Sequence, residues 1–161
     1  MVIPRTQGTG LCVVDGPVVR IPHFYYAQGG CAALRTQADW IGETDAEALQ
    51  VIYDPEKVTY RSLLEFFYRM HDPTTSNRQG PDVGSQYRSA IFYHDAEQEK
   101  IARDVTDKVN KQWWKGGVAT EILPAGKWWD AEQYHQLYLD NNPGGYECPS
   151  HFLRSFPPLS D

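Results

Sequence analysis

No apolar run in these 161 residues approaches the ~20 needed to span a bilayer, so no helical membrane span is expected. Positive charge is also short: 15 Lys and Arg against 21 Asp and Glu give a net charge of −6, with no basic run. Nucleic-acid binding draws on Lys and Arg to neutralise phosphates. Neither a nucleic acid nor an anionic membrane is therefore an expected partner. Cysteine is scarce. Cys12, Cys31 and Cys148 make an odd number that does not suit a secreted disulfide framework. The first residues carry Arg5, but Pro, Gly and Gln occur where a signal peptide needs an apolar core, so the cytoplasm is the expected location. There is no internal repeat and no Gly-rich phosphate loop.

What the chain does have is aromatic rings: five Trp, ten Tyr and six Phe. Its length suits one domain spanning 1–161, with a core or pocket built partly from rings. Short Val-rich runs at 11–14 and 17–21 predict one or two edge strands, and residues 23–27 predict another strand. Gly29-Gly30 breaks that strand, and Cys31 then opens a helix-compatible segment, Ala32 to Ala38. Residues 46–53 read as a buried strand ending at Asp54-Pro55. Tyr60, Leu63, Leu64, Phe67 and Met70 recur at helical spacing, and Asp72-Pro73 stops that helix. Residues 72–86 form a long polar loop, a length often tied to function.

A strand from Tyr87 to Tyr93 follows the loop. Asp95 with Gln98 then marks a helix start, with Ile101, Ala102, Val105 and Val109 as its apolar side. Gly116-Gly117 ends it. Val118 to Leu123 is the next strand, and Asp130 with Gln133 can cap a last helix. Strands alternating with helices predict an α+β or α/β sandwich, helices packed on a sheet.

Several side chains could carry chemistry. Cys31, just after two glycines and at a predicted helix start, would feel the partial positive charge of free N–H groups, which favours the thiolate. It could equally be a small residue filling a turn. Glu47 shares a strand face with Leu49, Val51 and Tyr53. A carboxyl desolvated by such neighbours holds its proton and can donate it near neutral pH; at a strand end in water it would do neither. Asp82 and Tyr87 lie close together on the polar segment entering the next strand, able to hydrogen-bond a small ligand or orient a second acid. Cys148 and His151 have a two-residue gap but no second ligand pair, so no zinc site is expected. Cys31 with His71 or His135 could form a Cys–His hydrolase pair, though nothing local supports it.

Three blocks carry a resemblance. They are His71-Asp72-Pro73-Thr74 with Gln79 through Ile91, Asp130 through Leu139 with Asn142-Pro143-Gly144-Gly145-Tyr146, and Cys148 through Arg154. Together with Gly42 through Ala48 they resemble the A-type peptide-methionine sulfoxide reductases, with the fungal-type ending of that family. The resemblance covers 42–154 and leaves 1–41 divergent. It implies a ferredoxin-like two-layer α/β sandwich. It implies thiol-dependent reduction of the S-epimer of methionine sulfoxide, in oxidised proteins and as the free amino acid, with no bound cofactor and thioredoxin as reductant and partner. By the same resemblance Glu47 is the proton donor, Asp82 and Tyr87 support it, and Cys148 is the resolving thiol.

The family places its nucleophile in Gly-Cys-Phe-Trp-Gly. The counterpart here is Gly30-Cys31-Ala32-Ala33-Leu34, without the Phe and Trp that line the methyl pocket. Cys31 and Glu47 are only sixteen residues apart, so the segment between them is shortened relative to the family. The rival expectation is a catalytically inactive homologue or binding protein that has lost the nucleophile motif.

Overall fold

The structure, a computed structural model, describes residues 10–11, 32–34, 46–51, 53–126, 133–134 and 137–160. The predicted strands at 17–21 and 23–27, Cys12 and Cys31, and the Asp130 cap lie outside the described residues. Within them the fold is α+β.

β1 (Gly10–Leu11), β2 (Ala32–Leu34), β3 (Ala46–Gln50), β6 (Ala90–Tyr93) and β7 (Glu121–Pro124) form a five-stranded sheet in the order β2–β3–β1–β6–β7. β1 is antiparallel to β3 and β6, β2 is antiparallel to β3, and β6 is parallel to β7. Two expectations are corrected here. The first described strand lies mid-sheet rather than at an edge, with β3 and β6 as its neighbours. Ala32–Leu34 is a strand and not the opening of a helix: Ala33 registers with Glu47 and Ala32 with Ala48. Alanine favours helix intrinsically, but pairing with a neighbouring strand outweighs a preference of well under 1 kcal/mol per residue.

α1 (Tyr60–Met70) begins at Thr59, whose hydroxyl accepts the Ser62 N–H at 3.1 Å. Its buried stripe includes the five predicted apolar residues. α2 (Ala96–Gln112) follows the predicted cap: Asp95 accepts the Gln98 N–H at 2.8 Å, and Gln98 reaches back to accept the His94 N–H at 2.8 Å. Tyr60, Leu64, Phe67 and Tyr68 of α1 meet Ala102, Val105 and Val109 of α2 and Ile91 of β6 in the main core. Ala46, Ala48, Ala90 and Phe92 form a smaller buried cluster. Successive strand residues face opposite ways, so this cluster occupies the sheet face opposite Ile91.

The polar segment 72–86 is more ordered than a loop. β4 (Arg78–Gln79) and β5 (Asp82–Val83) pair as a short hairpin, and Ser85–Tyr87 makes a 3-10 turn. Tyr87 therefore ends a turn rather than opening a strand. The turn closes through Tyr87 N–H to Gly84 C=O and Arg88 N–H to Ser85 C=O, and the Arg88 side chain also donates to Ser85 C=O at 2.9 Å. β7 likewise starts later than Val118. The Asn110 side chain accepts the Val118 N–H and Pro73 accepts the Ala119 N–H, and the ladder with β6 begins only after these bonds.

A last short helix, α3 (Tyr138–Asn141), precedes the tail. The tail is pinned across the helices. Phe156 stacks on Trp113 at 5.0 Å, the Trp113 indole N–H donates to Pro157 C=O, and Arg69 donates to Phe156 C=O.

Candidate active site

The site grows from the β4–β5 hairpin. Gln79 and Asp82 are register partners across a two-residue turn of Gly80 and Pro81. Gly80 has φ +53°, a left-handed conformation that costs a side-chain-bearing residue about 1–2 kcal/mol. The tail sits directly against this turn. A Cβ at Gly80 would meet Ser150 Cβ at 3.2 Å and Cys148 Sγ at 3.5 Å. The absent side chain thus allows the close approach of the hairpin and the tail thiol.

Cys148 is the one described cysteine, a free thiol with 1% of its surface exposed. Its Sγ donates to the Gln79 carbonyl at 3.5 Å and lies 3.2 Å from Ser150 Oγ. Burial raises its pKa; the Ser150 bonds oppose this and the Asp82 carboxylate adds to it. Because the thiolate is the nucleophile, a Cys148 seated in this way is held protonated and shielded.

Beside it the Tyr146 hydroxyl donates to both oxygens of Asp82, at 3.1 and 3.0 Å. Desolvation and then Asp82 push the phenol up to about 12. With 51% of Tyr146 exposed, the carboxylate contact is the firmer of the two causes. Sequence reading gave Tyr146 no role. It stands in a tail without periodicity, 64 residues from Asp82, and its place at the end of the Asn142–Tyr146 block, close to Cys148, was the signal available.

Glu47 and Tyr87 approach from the sheet side. Leu49 and Ile91 both register with Leu11, so they share a sheet face, and Glu47, two residues from Leu49, shares it too. Glu47 is half-buried and its strand packs against the 3-10 turn carrying Tyr87, also half-buried. β4 packs against the same turn. The structure thus brings Asp82 and Cys148 together directly, and Glu47 and Tyr87 through adjoining backbone elements. Cys31 lies outside the described residues; the residue after it, Ala32, registers with Ala48, next to Glu47.

His71 does not suit a hydrolase pair. It is fully buried, with Nδ1 at 2.8 Å from Phe67 C=O and Nε2 at 2.7 Å from Ser89 Oγ. Desolvation pushes it down to about 3, with the Phe67 bond opposing and the positive charge of His151 and Arg154 assisting. A neutral ring whose Nδ1–H donates to Phe67 uses Nε2 as the acceptor for Ser89. Ser89 Oγ is in turn 2.8 Å from Thr120 Oγ1. Both nitrogens are committed, so His71 has none left to serve a thiol. The other candidate base, His135, lies outside the described residues. Among the described residues no group of three or more His, Cys, Asp or Glu could hold a metal ion, and no helix is long and apolar enough to cross a membrane.

Comparison with known proteins decides the family. The peptide methionine sulfoxide reductase family model matches residues 26–155. The chain belongs to that family. The match begins before Gly42, where the sequence blocks begin, and takes in Cys31. Among its relatives, a probable peptide methionine sulfoxide reductase of Schizosaccharomyces pombe is 57% identical over 110 residues, 68% of this chain. The chain spans 65% of the length of that relative. The reduced form of Mxr1 from Saccharomyces cerevisiae has a similar structure. Its TM-score is 0.69 at 42% identity, over 79% of this chain and 76% of that one. Mxr1 in complex with Trx2 is similar with a TM-score of 0.53 at 31% identity, over 79% and 70%.

Proposed function

We propose that this chain reduces the S-epimer of methionine sulfoxide to methionine, in oxidised proteins and as the free amino acid. The observation carrying this reading is the buried Cys148 thiol beside the Asp82–Tyr146 pair, in a chain of the peptide methionine sulfoxide reductase family. In this reading the Cys31 thiolate attacks the sulfoxide sulfur and Glu47 protonates the departing oxygen, with Asp82 and Tyr87 as supporting hydrogen-bonding groups. Methionine leaves and Cys31 becomes a sulfenic acid. The Cys148 thiol then attacks that sulfur: one S–S bond forms and water departs with the thiol proton.

A dithiol reductant returns both cysteines to thiols. That Mxr1 has been solved in complex with Trx2 supports thioredoxin as this reductant, and dependence on such a reductant suits a reducing compartment such as the cytoplasm. For the architecture we propose a ferredoxin-like two-layer sandwich formed by one domain over 1–161. Helices on the Ile91 face of a mostly antiparallel sheet support it.

A thioredoxin-coupled assay with each sulfoxide epimer tests the proposal. Methionine from the S-epimer and not the R-epimer is expected. No methionine from either epimer, even with excess dithiol, overturns it in favour of an inactive homologue.

A further inference from the structure

Cys148 in its observed seat is shielded from solvent, with 1% of its surface exposed. Its Sγ is occupied by the Gln79 carbonyl and Ser150 Oγ, and the Gly80 turn is in van der Waals contact with it. For an S–S bond to form, its sulfur must come to about 2 Å from a second sulfur, so the contacts that seat Cys148 on the hairpin have to yield.

Within the segment around Cys148, His151 is buried and its backbone N–H donates to the Cys148 carbonyl. Downstream, the tail is held through Arg154 and Phe156, whose bonds reach Arg69 and Trp113, away from the hairpin. Upstream, α3 ends at Asn141 and Gly144 has φ +86°, a conformation that offers little resistance to bending at a glycine. Between these points Asp82 is the charged acceptor of the hairpin, taking two contacts from the Tyr146 hydroxyl and one from the Cys148 thiol. Hydrogen bonds to a charged acceptor are stronger than neutral ones, whereas the Cys148 thiol is a weak donor.

We infer that Tyr146 is a positioning residue for the resolving step: by donating to both carboxylate oxygens of Asp82, it latches the tail on the hairpin turn and keeps Cys148 seated until the latch opens. This rests on the reading of Cys148 as the resolving thiol. The same carboxylate that supports the proton donor thereby holds the resolving thiol in waiting. Any change that draws Asp82 away from Tyr146 also releases Cys148.

The test uses the full chain with Cys12→Ser and Cys31→Ser, which leaves Cys148 as its only thiol. This background turns nothing over, so the result is independent of whether the wild-type chain reduces a sulfoxide. The readout is the rate of Cys148 labelling by a small aromatic disulfide across pH 7–9, alongside the melting temperature. Tyr146→Phe should raise the rate about tenfold at every pH without a matching fall in melting temperature. Asp82→Ala should do the same from the other end of the contact. Combining the two should give no further rise, because each removes the same link. Asp82→Asn, which keeps an acceptor oxygen, should raise the rate less. Labelling within twofold of the parent in either single variant overturns the latch, as does a double variant whose effects simply multiply. Should Tyr146→Phe not fold, Tyr146→Leu, which also leaves the Asp82 charge in place, is read against the same criterion.

Discussion

The Gln79 carboxamide closes on the main chain of Asp72 from both ends: Nε2 donates to the carbonyl at 2.7 Å and Oε1 accepts the N–H at 3.2 Å. Gln79 is fully buried, and its own carbonyl receives the Cys148 thiol. One side chain thus ties the exit of α1 to the hairpin, and its backbone ties the hairpin to the tail. Gln79→Met keeps the length but leaves two buried backbone groups of Asp72 without these partners. The expected cost is about 2–4 kcal/mol, read as a lower urea midpoint with an unchanged slope. A loss below about 0.5 kcal/mol would show that water replaces the carboxamide.

His71 supplies a pH dependence with a definite sign. Its folded value, near 3, lies below the unfolded reference of about 6.5. The unfolded chain therefore binds the extra proton first as pH falls. Stability attributable to His71 is complete above about pH 6.5 and is lost progressively down towards pH 3. The loss is on the order of a few kcal/mol. Urea unfolding from pH 7 to 4 should show this slope in the wild-type chain, and a smaller one in His71→Phe. Ring carbon shifts should report a neutral imidazole at pH 5; an imidazole titrating near 6.5 would remove the argument.

α1 and α2 were legible in the sequence because two independent signals agree in each. In α2, the 3.6-residue recurrence of Ala102, Val105 and Val109 coincides with the Asp95–Gln98 cap. In α1, the apolar stripe coincides with the stop at Asp72-Pro73. The two-residue β1 is too short to have a period, so its place mid-sheet comes from partners 38 and 80 residues away in the chain, counted from Leu11–Leu49 and Leu11–Ile91. Ala32–Leu34 misled because alanine signals helix locally while its pairing partner is another strand. At the site, Asp82, Glu47 and Cys148 could be singled out in the sequence by their chemistry or their place in recognisable blocks. Gln79 and Tyr146 lie in the same blocks but were given no role. A buried Gln in a polar loop and a Tyr in an aperiodic tail acquire meaning only through contacts made in the folded chain.

Gly80 joins backbone strain to the thiol seat. Gly80→Ala meets a left-handed φ of +53° and also Ser150 Cβ at 3.2 Å. The strain alone costs about 1–2 kcal/mol. Relief of the contact requires Ser150 to retreat, and Cys148, two residues before it, to move with it. The expected outcome is a modest fall in stability together with faster labelling of Cys148. Slower labelling would mean that the added methyl group seals the seat instead of opening it.

The proposed chemistry makes different demands on the two thiols, and single-turnover stoichiometry separates them. Cys31→Ser removes the nucleophile of the proposed reaction, so no methionine should form with any reductant. Cys148→Ser leaves the attack intact but removes the group that condenses with the sulfenic acid. One methionine per chain should then be released, with a sulfenic acid detectable by dimedone, and thioredoxin should not support further cycles. Glu47→Gln retains shape while removing the acidic proton, and general-acid help is typically a factor of ~10²–10⁴. It should therefore slow methionine release in the first turnover by at least a hundredfold while leaving the Cys148 labelling rate unchanged. Multiple turnover in Cys31→Ser would reassign the nucleophile. An undiminished first turnover in Glu47→Gln would move the proton donor to another group, with Tyr87 the next to be tested because its turn packs against the strand that carries Glu47.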